Sequence, residues 1–172
     1  MEVVPLRLAG LKLIRPRVFG DERGYFYESY RAPLYQEFPP FVQDNISFSV
    51  KNTVRALHYQ SAPGQAKLVS CLQGKIFDVV VDLRRDSPTF GQWEAVELEG
   101  ATQLFVPIGF AHGFCVLSDH ALVQYKVSAV YNPATECSIR WNDPTFNISW
   151  PVQEPILSPR DQVSPFFSKA DV

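Results

Sequence analysis

Turn signals recur about every ten residues along this chain. Between them, segments such as FGQWEAVELEG and HALVQYKVSAVY alternate apolar and polar residues, which is the period of a half-buried β-strand. Helical periodicity is confined to a short stretch at 32–37 that runs into a Pro-Pro pair. The sequence therefore predicts a mainly β protein, a sandwich or barrel with a few short helices. The turn signals lie at 20–24, 63–64, 87–88, 107–109, 132–133 and 142–144.

The 172 residues include 46% hydrophobic residues and carry a formal net charge of −2. This length predicts one domain over 1–172, with an irregular Pro- and Ser-rich C-terminal segment at about 151–172. The charge gives no electrostatic reason to expect nucleic acid or a membrane as a partner. The N-terminus has neither a signal-peptide core nor an apolar run of about 20 residues, so we expect a cytoplasmic protein.

Polar side chains are dense in the predicted strand VRALHYQ. If that strand alternates regularly, His58 shares a face with Ala56 and Gln60. Arg55 and Lys67 add two cations, and burying a cation without a partner is costly. From these residues alone two interpretations stay open: a polar pocket, or the solvated edge of a sheet.

A second histidine, His112, lies in the turn-rich segment PIGFAHGF. The spacing PxGxxHG resembles the second motif of the cupin superfamily, whose small β-barrels often hold a metal between histidines. The first motif of a metal cupin would supply two histidines and a carboxylate, whereas here it offers only His58, so histidine cannot complete a three-ligand site. We predict no metal and no cofactor. His112 itself is either satisfied by the backbone of the turn or a polar contact in the barrel mouth.

Several other reactive groups are ordinary when each is taken alone. A strand tyrosine such as Tyr125 is usually core or rim, and an aspartate such as Asp161, in LSPRDQVSP, usually forms a turn. His120 follows Ser-Asp in a predicted hairpin turn, where a surface position is expected. The three cysteines are far apart and form no CxxC pair, which favours buried thiols over disulfides or zinc.

Nine segments, in order from residue 19 to residue 165, together resemble the dTDP-4-dehydrorhamnose 3,5-epimerase family. The resemblance implies a metal-free, cupin-type jelly-roll barrel, usually a homodimer, that acts on a dTDP-linked 4-keto-6-deoxy sugar in dTDP-L-rhamnose biosynthesis. The segments are FGDERGYFYESY, FVQDNISFS, VRALHYQ, QAKLVSC, GKIFDVVVDLRRDSPTFGQW, PIGFAHGF, QYKVSAVYNPATE, IRWNDPTFNISWP and LSPRDQVSP.

The resemblance also implies roles for individual residues. His58 would be the general base with Asp161 as its partner, Tyr125 the proton donor, and Lys67 the cation facing the C4 oxygen of the sugar. The other matched positions would line the nucleotide or sugar pocket: Arg23, Glu28, Gln43, Asn45, Arg55, Gln60, His112, Tyr131, Glu136 and Arg160.

These residue types suit inversion of a carbon next to a ketone. Removing such a proton needs a base at carbon and a cation or donor at the ketone oxygen, where the charge accumulates. Imidazole serves as a base near neutral pH, and inversion needs an acid on the opposite face of the flat enolate. We therefore expect His58 and Tyr125 to face each other across one barrel mouth, with room for a sugar ring between them.

Two alternatives stay open. The same residues would serve an epimerase that acts at C3 only or C5 only in another dTDP-4-keto-6-deoxysugar pathway. Less directly, they would suit a non-catalytic cupin that binds a nucleotide sugar. The chain also departs from the family pattern at Ala56 and Ala66, where glycine is usual, and each added methyl could narrow the pocket or shift the backbone.

Overall fold

The computed structural model of this chain describes residues 1–168, and within them thirteen strands form three antiparallel sheets. Helical structure there is limited to one 3-10 turn at Ala32–Leu34 and one short helix, α1 (Pro159–Gln162). The strands are β1 (Glu2–Pro5), β2 (Lys12–Arg15), β3 (Val18–Asp21), β4 (Gly24–Tyr27), β5 (Gln43–Val50), β6 (Val54–Gln60), β7 (Lys67–Gln73), β8 (Lys75–Asp82), β9 (Trp93–Glu99), β10 (Gln103–Val106), β11 (Phe110–Val116), β12 (His120–Val127) and β13 (Glu136–Ser138).

Two of the sheets form a sandwich. The six-stranded sheet has the order β1-β2-β10-β7-β12-β5, and the five-stranded sheet has the order β13-β6-β11-β8-β9. Strands β3 and β4 make a separate hairpin. This architecture confirms the prediction of a mainly β, jelly-roll type fold with few short helices.

The main core lies between the two large sheets because alternate residues of their strands point inward. Val69 and Val123 from one sheet pack with Ile76, Val80 and Phe114 from the other, and all are almost fully buried. Strands β7 and β8 are joined by one residue, Gly74, whose φ is +81°. A Cβ at this position would lie 2.1 Å from the carbonyl oxygen of His120, so the link requires glycine.

The chain that follows β13 covers the outer face of the five-stranded sheet. Ile139 and Phe146 are buried there against Leu57, Val79 and Ala111. From residue 151 to residue 168 the chain is irregular apart from α1 and an isolated bridge between Thr53 and Ile156. Residues 169–172, the end of the segment predicted to be irregular, lie outside the described residues.

Strand β6 contains a bulge, which overturns one expectation. His112 pairs with His58, and Phe114, two residues later, pairs with Arg55, three residues earlier, so β6 carries one extra residue. Ala56 and Leu57 consequently both pack in the outer core. The prediction that His58 shares a face with Ala56 was wrong, because the extra residue interrupts the alternation.

Two further observations concern membrane-spanning helices and the cysteines. No helix among residues 1–168 is long and apolar enough to cross a membrane. Cys71 and Cys115 are buried, Cys137 is partly buried, and all three are free thiols, as the sequence predicted.

Candidate active site

A cavity of about 270 Å³ opens between the two large sheets. The strands that form it place polar residues at this end of the sandwich, although they are apolar where they cross the core. Lys67 begins β7 and Tyr125 lies near the end of β12, its antiparallel neighbour in the six-stranded sheet. His58 lies near the end of β6 in the five-stranded sheet that faces them. The lining residues are Gln43, Asn45, Ser47, Arg55, His58, Gln65, Lys67, His112, Phe114, Tyr125, Tyr131 and Glu136.

His58 lies on the wall formed by the five-stranded sheet and is backed by a carboxylate. Its Nε2 is 2.7 Å from Oδ1 of Asp161, which is 2% exposed. Asp161 is fixed in turn, because its backbone N–H donates to the Ser158 hydroxyl that caps α1. An ionised carboxylate only accepts hydrogen bonds, so Nε2 carries the proton and Nδ1 is the basic atom. Asp161 thus lies behind His58 and does not line the cavity itself.

Lys67 is a buried amine in the floor of the cavity. Its Nζ donates to the backbone oxygen of His58 at 3.2 Å. Burial lowers the pKa of Lys67 to about 8, while the charges of Asp78 and Glu136 oppose that shift. The amine is therefore still mostly an ammonium ion at neutral pH.

Tyr125 lies on the opposite wall, in β12 of the six-stranded sheet. Burial raises the pKa of its phenol above the ordinary value, and the nearby charge of Arg55 only partly opposes this effect. The hydroxyl consequently keeps its proton at neutral pH. The cavity thus has a histidine on one wall and a protonated phenol on the other.

A second histidine–carboxylate pair lies beside the first, and sequence analysis missed its carboxylate. His112 Nε2 is 2.9 Å from both oxygens of Asp78, and Asp78 is fully buried in β8. Burial lowers the pKa of His112 although Asp78 acts in the opposite direction. The sequence did contain a signal for Asp78: a carboxylate within the apolar strand IFDVVVD is costly to bury unless it has a partner.

The cavity mouth is closed on one side by three residues that contact one another. Glu136 Oε2 accepts hydrogen bonds from the Tyr131 hydroxyl at 2.7 Å and from Arg160 Nη1 at 2.5 Å. Burial disfavours ionisation of Glu136, but these two donors together hold its pKa below the ordinary value. Gln43 Oε1 accepts from the backbone N–H of Tyr131 at 2.9 Å and so ties the mouth to β5.

Other predicted residues take distinct places around the cavity. Arg55 donates through Nε to the Ser49 hydroxyl at 2.9 Å, and Asn45 accepts from Gln43 Nε2 at 2.8 Å. Gln60 is buried next to the mouth, where its Oε1 accepts from the backbone N–H of Asn132 at 3.1 Å. Gln60 is not among the cavity-lining residues, whereas Ser47, Gln65 and Phe114 line the cavity and were not predicted.

Arg23 and Glu28 do not reach the cavity of their own chain. Arg23, in the turn of the β3–β4 hairpin, pairs with Asp21 at 2.5 Å, and its side chain is 85% exposed. Glu28, just after β4, lies 3.5 Å from Arg31. These are the two predicted residues that the fold of a single chain leaves on its outer surface.

The two alanines that replace glycine in the family pattern point away from the cavity. Ala56 packs in the outer core, next to the backbone of Gly113. Ala66 is buried with Phe38 and Phe105 on the outer face of the six-stranded sheet. The expectation that their methyl groups could narrow the pocket was therefore wrong.

Residues 1–168 contain no cluster of three or more His, Cys, Asp or Glu side chains arranged to hold a metal ion. The two cavity histidines instead direct their Nε2 atoms to separate carboxylates.

Comparisons of the sequence with known proteins identify a family and close relatives. The sequence model of the dTDP-4-dehydrorhamnose 3,5-epimerase family matches residues 5–169. The enzyme of that name from Shigella flexneri is 47% identical over 178 residues, which cover 99% of this chain and 98% of the relative.

Solved structures give the same result. The dTDP-4-dehydrorhamnose 3,5-epimerase of Elizabethkingia anophelis NUHP1 is 45% identical, with a TM-score of 0.93 and coverage of 100% of this chain and 99% of the other. The dTDP-6-deoxy-D-glucose-3,5-epimerase of Legionella pneumophila Philadelphia 1, solved with dTDP-4-keto-L-rhamnose, is 48% identical. Its TM-score is 0.91, and the match covers 96% of this chain and 92% of the other.

Proposed function

Because this chain belongs to the dTDP-4-dehydrorhamnose 3,5-epimerase family, we propose that it converts dTDP-4-dehydro-6-deoxy-D-glucose to dTDP-4-dehydro-L-rhamnose by inverting C3 and C5. The observation that carries this proposal is the arrangement of one cavity. His58, backed by Asp161, lies on one wall, and Tyr125 lies on the other, with the buried amine of Lys67 between the strands that carry them. No metal or cofactor is required by the scheme.

The first step is removal of a proton from the carbon next to the ketone. Nδ1 of His58 takes the proton, and the electron pair of the C–H bond moves through the C3–C4 or C4–C5 bond onto the C4 oxygen. The imidazolium is stabilised by Asp161, to which Nε2 remains hydrogen-bonded. Lys67 stabilises the negative oxygen because its ammonium group is buried, where charge interactions are strong.

The second step is protonation from the other face. The enolate is flat, so a base on one wall and an acid on the other invert the carbon. Tyr125 is the acid, and its raised pKa means that it releases a proton only to a strongly basic acceptor such as the enolate carbon. Before the second carbon reacts, the imidazolium of His58 releases its proton to water and the phenolate of Tyr125 takes one from water. The sugar then presents its second carbon to the restored pair.

The nucleotide part of the substrate is expected at the mouth. Arg160 lies at the mouth and Arg55 lines the cavity, and their guanidinium groups suit the oxygens of a pyrophosphate. Gln43, Asn45, Gln60, His112, Tyr131 and Glu136 complete the proposed set of binding residues.

We further propose a homodimer. The outer face of β5 exposes Ile46 (63%) and Phe48 (61%), and the β3–β4 hairpin exposes Phe26 (66%), although large apolar side chains usually find a partner. A second copy would cover these surfaces. It would also bring Arg23 and Glu28 close to a cavity, because both side chains could enter the cavity of the partner although they cannot reach their own.

The remaining proposals concern architecture and location. Residues 1–172 are proposed to be one cupin-type domain, since the PxGxxHG segment places His112 in the cavity. A cytoplasmic location is supported by three free cysteines, which suit a reducing compartment. We expect neither nucleic acid nor a membrane as a partner.

The deciding experiment is incubation with dTDP-4-keto-6-deoxyglucose in deuterated water. Deuterium should enter at both C3 and C5, as read by proton NMR of the product. Deuterium at one carbon only would instead identify a C3-only or C5-only epimerase. No deuterium at either carbon, with tight binding of the nucleotide sugar, would favour a non-catalytic cupin.

A further inference from the structure

Asp78 is a carboxylate inside the barrel that the proposed reaction scheme does not use. It lies in β8 between Ile76 and Val80, which belong to the inner core, and none of its surface is exposed. Both of its oxygens are 2.9 Å from His112 Nε2. A buried negative charge is costly unless cations or donors compensate for it, so its retention at this position calls for a role.

Lys67 lies in the same buried interior as Asp78, because its Nζ contacts the backbone of His58, which is the strand partner of His112. Burial disfavours the charged form of this amine, and the negative charges that oppose this effect belong first to Asp78 and then to Glu136. Among residues 1–168, the only hydrogen bond of Lys67 Nζ goes to the backbone oxygen of His58. The ammonium group therefore has donors left for a ligand, and the nearby carboxylates favour its charged form.

The direct neighbour of Asp78 is His112. Burial and the charges of Lys67 and His58 favour its neutral form, against the influence of Asp78. A neutral imidazole next to an ionised carboxylate carries its proton on the nitrogen that faces the carboxylate, here Nε2. Nδ1 is then a hydrogen-bond acceptor, and within the described residues it has no protein donor. His112 lines the cavity, so this acceptor is available to a hydroxyl group of the sugar.

We propose, on the basis of the proposed function, that Asp78 is a positioning residue of this site. It fixes His112 in the Nε2–H tautomer and supplies a buried negative charge that stabilises the ammonium group of Lys67. Asp78 touches no substrate in this scheme and acts through these two residues. The two carboxylates of the site thus have separate tasks: Asp161 serves the base, whereas Asp78 serves the groups that hold and polarise the sugar.

The test is Asp78→Asn, which keeps the shape of the side chain and removes its charge. The Lys67 ionisation is followed by carbon NMR of lysine Cε, assigned with Lys67→Arg. Lys67 should titrate near pH 8 in the unchanged protein, and at least about one pH unit lower in the variant because an attractive charge is lost. The alkaline limb of the kcat profile should move down by the same amount, and kcat should fall more than KM rises.

Two further variants separate this role from a structural one. Asp78→Glu keeps the charge and should restore the Lys67 titration. Asp143→Asn removes another buried carboxylate, one that accepts from the backbone N–H groups of Thr145 and Phe167, and should leave the Lys67 signal unchanged. An unchanged Lys67 titration in a folded Asp78→Asn protein would overturn the proposal.

The tautomer of His112 can be read in the unchanged protein, by nitrogen NMR of the imidazole ring. The Nε2–H form is expected, and the Nδ1–H form would overturn the proposal even if no variant of Asp78 folds. Neither NMR measurement needs turnover. Absence of deuterium entry would therefore contradict the proposed function alone. The Lys67 titration and the His112 tautomer test the role of Asp78 separately.

Discussion

His58 and His112 are paired residues of the neighbouring strands β6 and β11, and their Nε2 atoms are bound by different carboxylates. The partner of His58 comes from the C-terminal segment, about a hundred residues along the chain, whereas the partner of His112 comes from the adjacent strand β8. Both rings line one cavity. The first pair lies on the wall opposite Tyr125, where we propose that His58 acts as the base, and the second lies with Lys67 in the polar interior.

Replacement of His58 by Asn should abolish deuterium entry at both carbons. Asn has no basic nitrogen, so the rate should fall at least about 10²- to 10⁴-fold, the range for general base catalysis. His120→Asn is the matched control: His120 contacts Gln73 and Phe48 outside the cavity. Its exchange rate should stay within about threefold of the original. Exchange that survives in His58→Asn would point to another base, and equal loss in both variants would show that the effect is not specific to His58.

Replacement of Tyr125 by Phe should separate exchange from inversion. The base can still remove a proton and return a deuteron to the same face, so deuterium should enter without a change of configuration. Epimerised product should fall by about 10²-fold or more, because the acid on the opposite wall is lost. Proton NMR of the recovered sugar nucleotide measures deuterium entry, and chiral analysis of the same sample measures inversion.

Tyr59→Phe serves as the control for Tyr125, since Tyr59 lies in β6 and packs against the outer core. It should invert both carbons normally. Normal inversion in Tyr125→Phe would assign the acid role to another group.

Activity should fall as the pH rises through about 8, because Lys67 must be charged to stabilise the enolate and its pKa is lowered to about 8 by burial. Activity changes in this direction because the active form is the protonated amine, which predominates below this pH and disappears above it. Tyr125 does not contribute to this fall in activity near pH 8, since its pKa is raised. The check is kcat between pH 6 and 10 at saturating substrate, at pH values where circular dichroism shows the fold intact.

Lys67→Met should remove the fall in kcat near pH 8. It should also lower activity by about 10²- to 10³-fold, which is typical for loss of a group that stabilises an oxyanion. If the residual activity of Lys67→Met still falls near pH 8, the titration belongs to a different residue.

Arg23 should act on the cavity of a second copy. Arg23→Ala and His58→Asn should each be poorly active as homodimers. A purified heterodimer of the two should recover about half of the original activity, since one of its two sites then has both residues intact. If Arg23 served its own chain, every site in the heterodimer would carry one defect and activity would not return.

The sequence predicted features that depend on local patterns, and it did not predict features that depend on contacts between distant parts of the chain. Strands such as β9 and β12 follow from local alternation, which each segment carries by itself. The position of Arg23 outside the cavity could not be predicted, because it depends on how the β3–β4 hairpin stands relative to the sandwich. Asp78 was missed because an apolar strand reads as core, and its partner His112 lies 34 residues further along the chain.

The extra residue in β6 means that the two halves of this strand are out of phase. Arg55 and His58 both face the cavity although an odd number of steps separates them, and in a regular strand one of the two would point outward. The bulge is thus as much a part of the site as the side chains. If the same residues paired without it, either the guanidinium or the imidazole would point out of the barrel, with every functional group still present in the sequence.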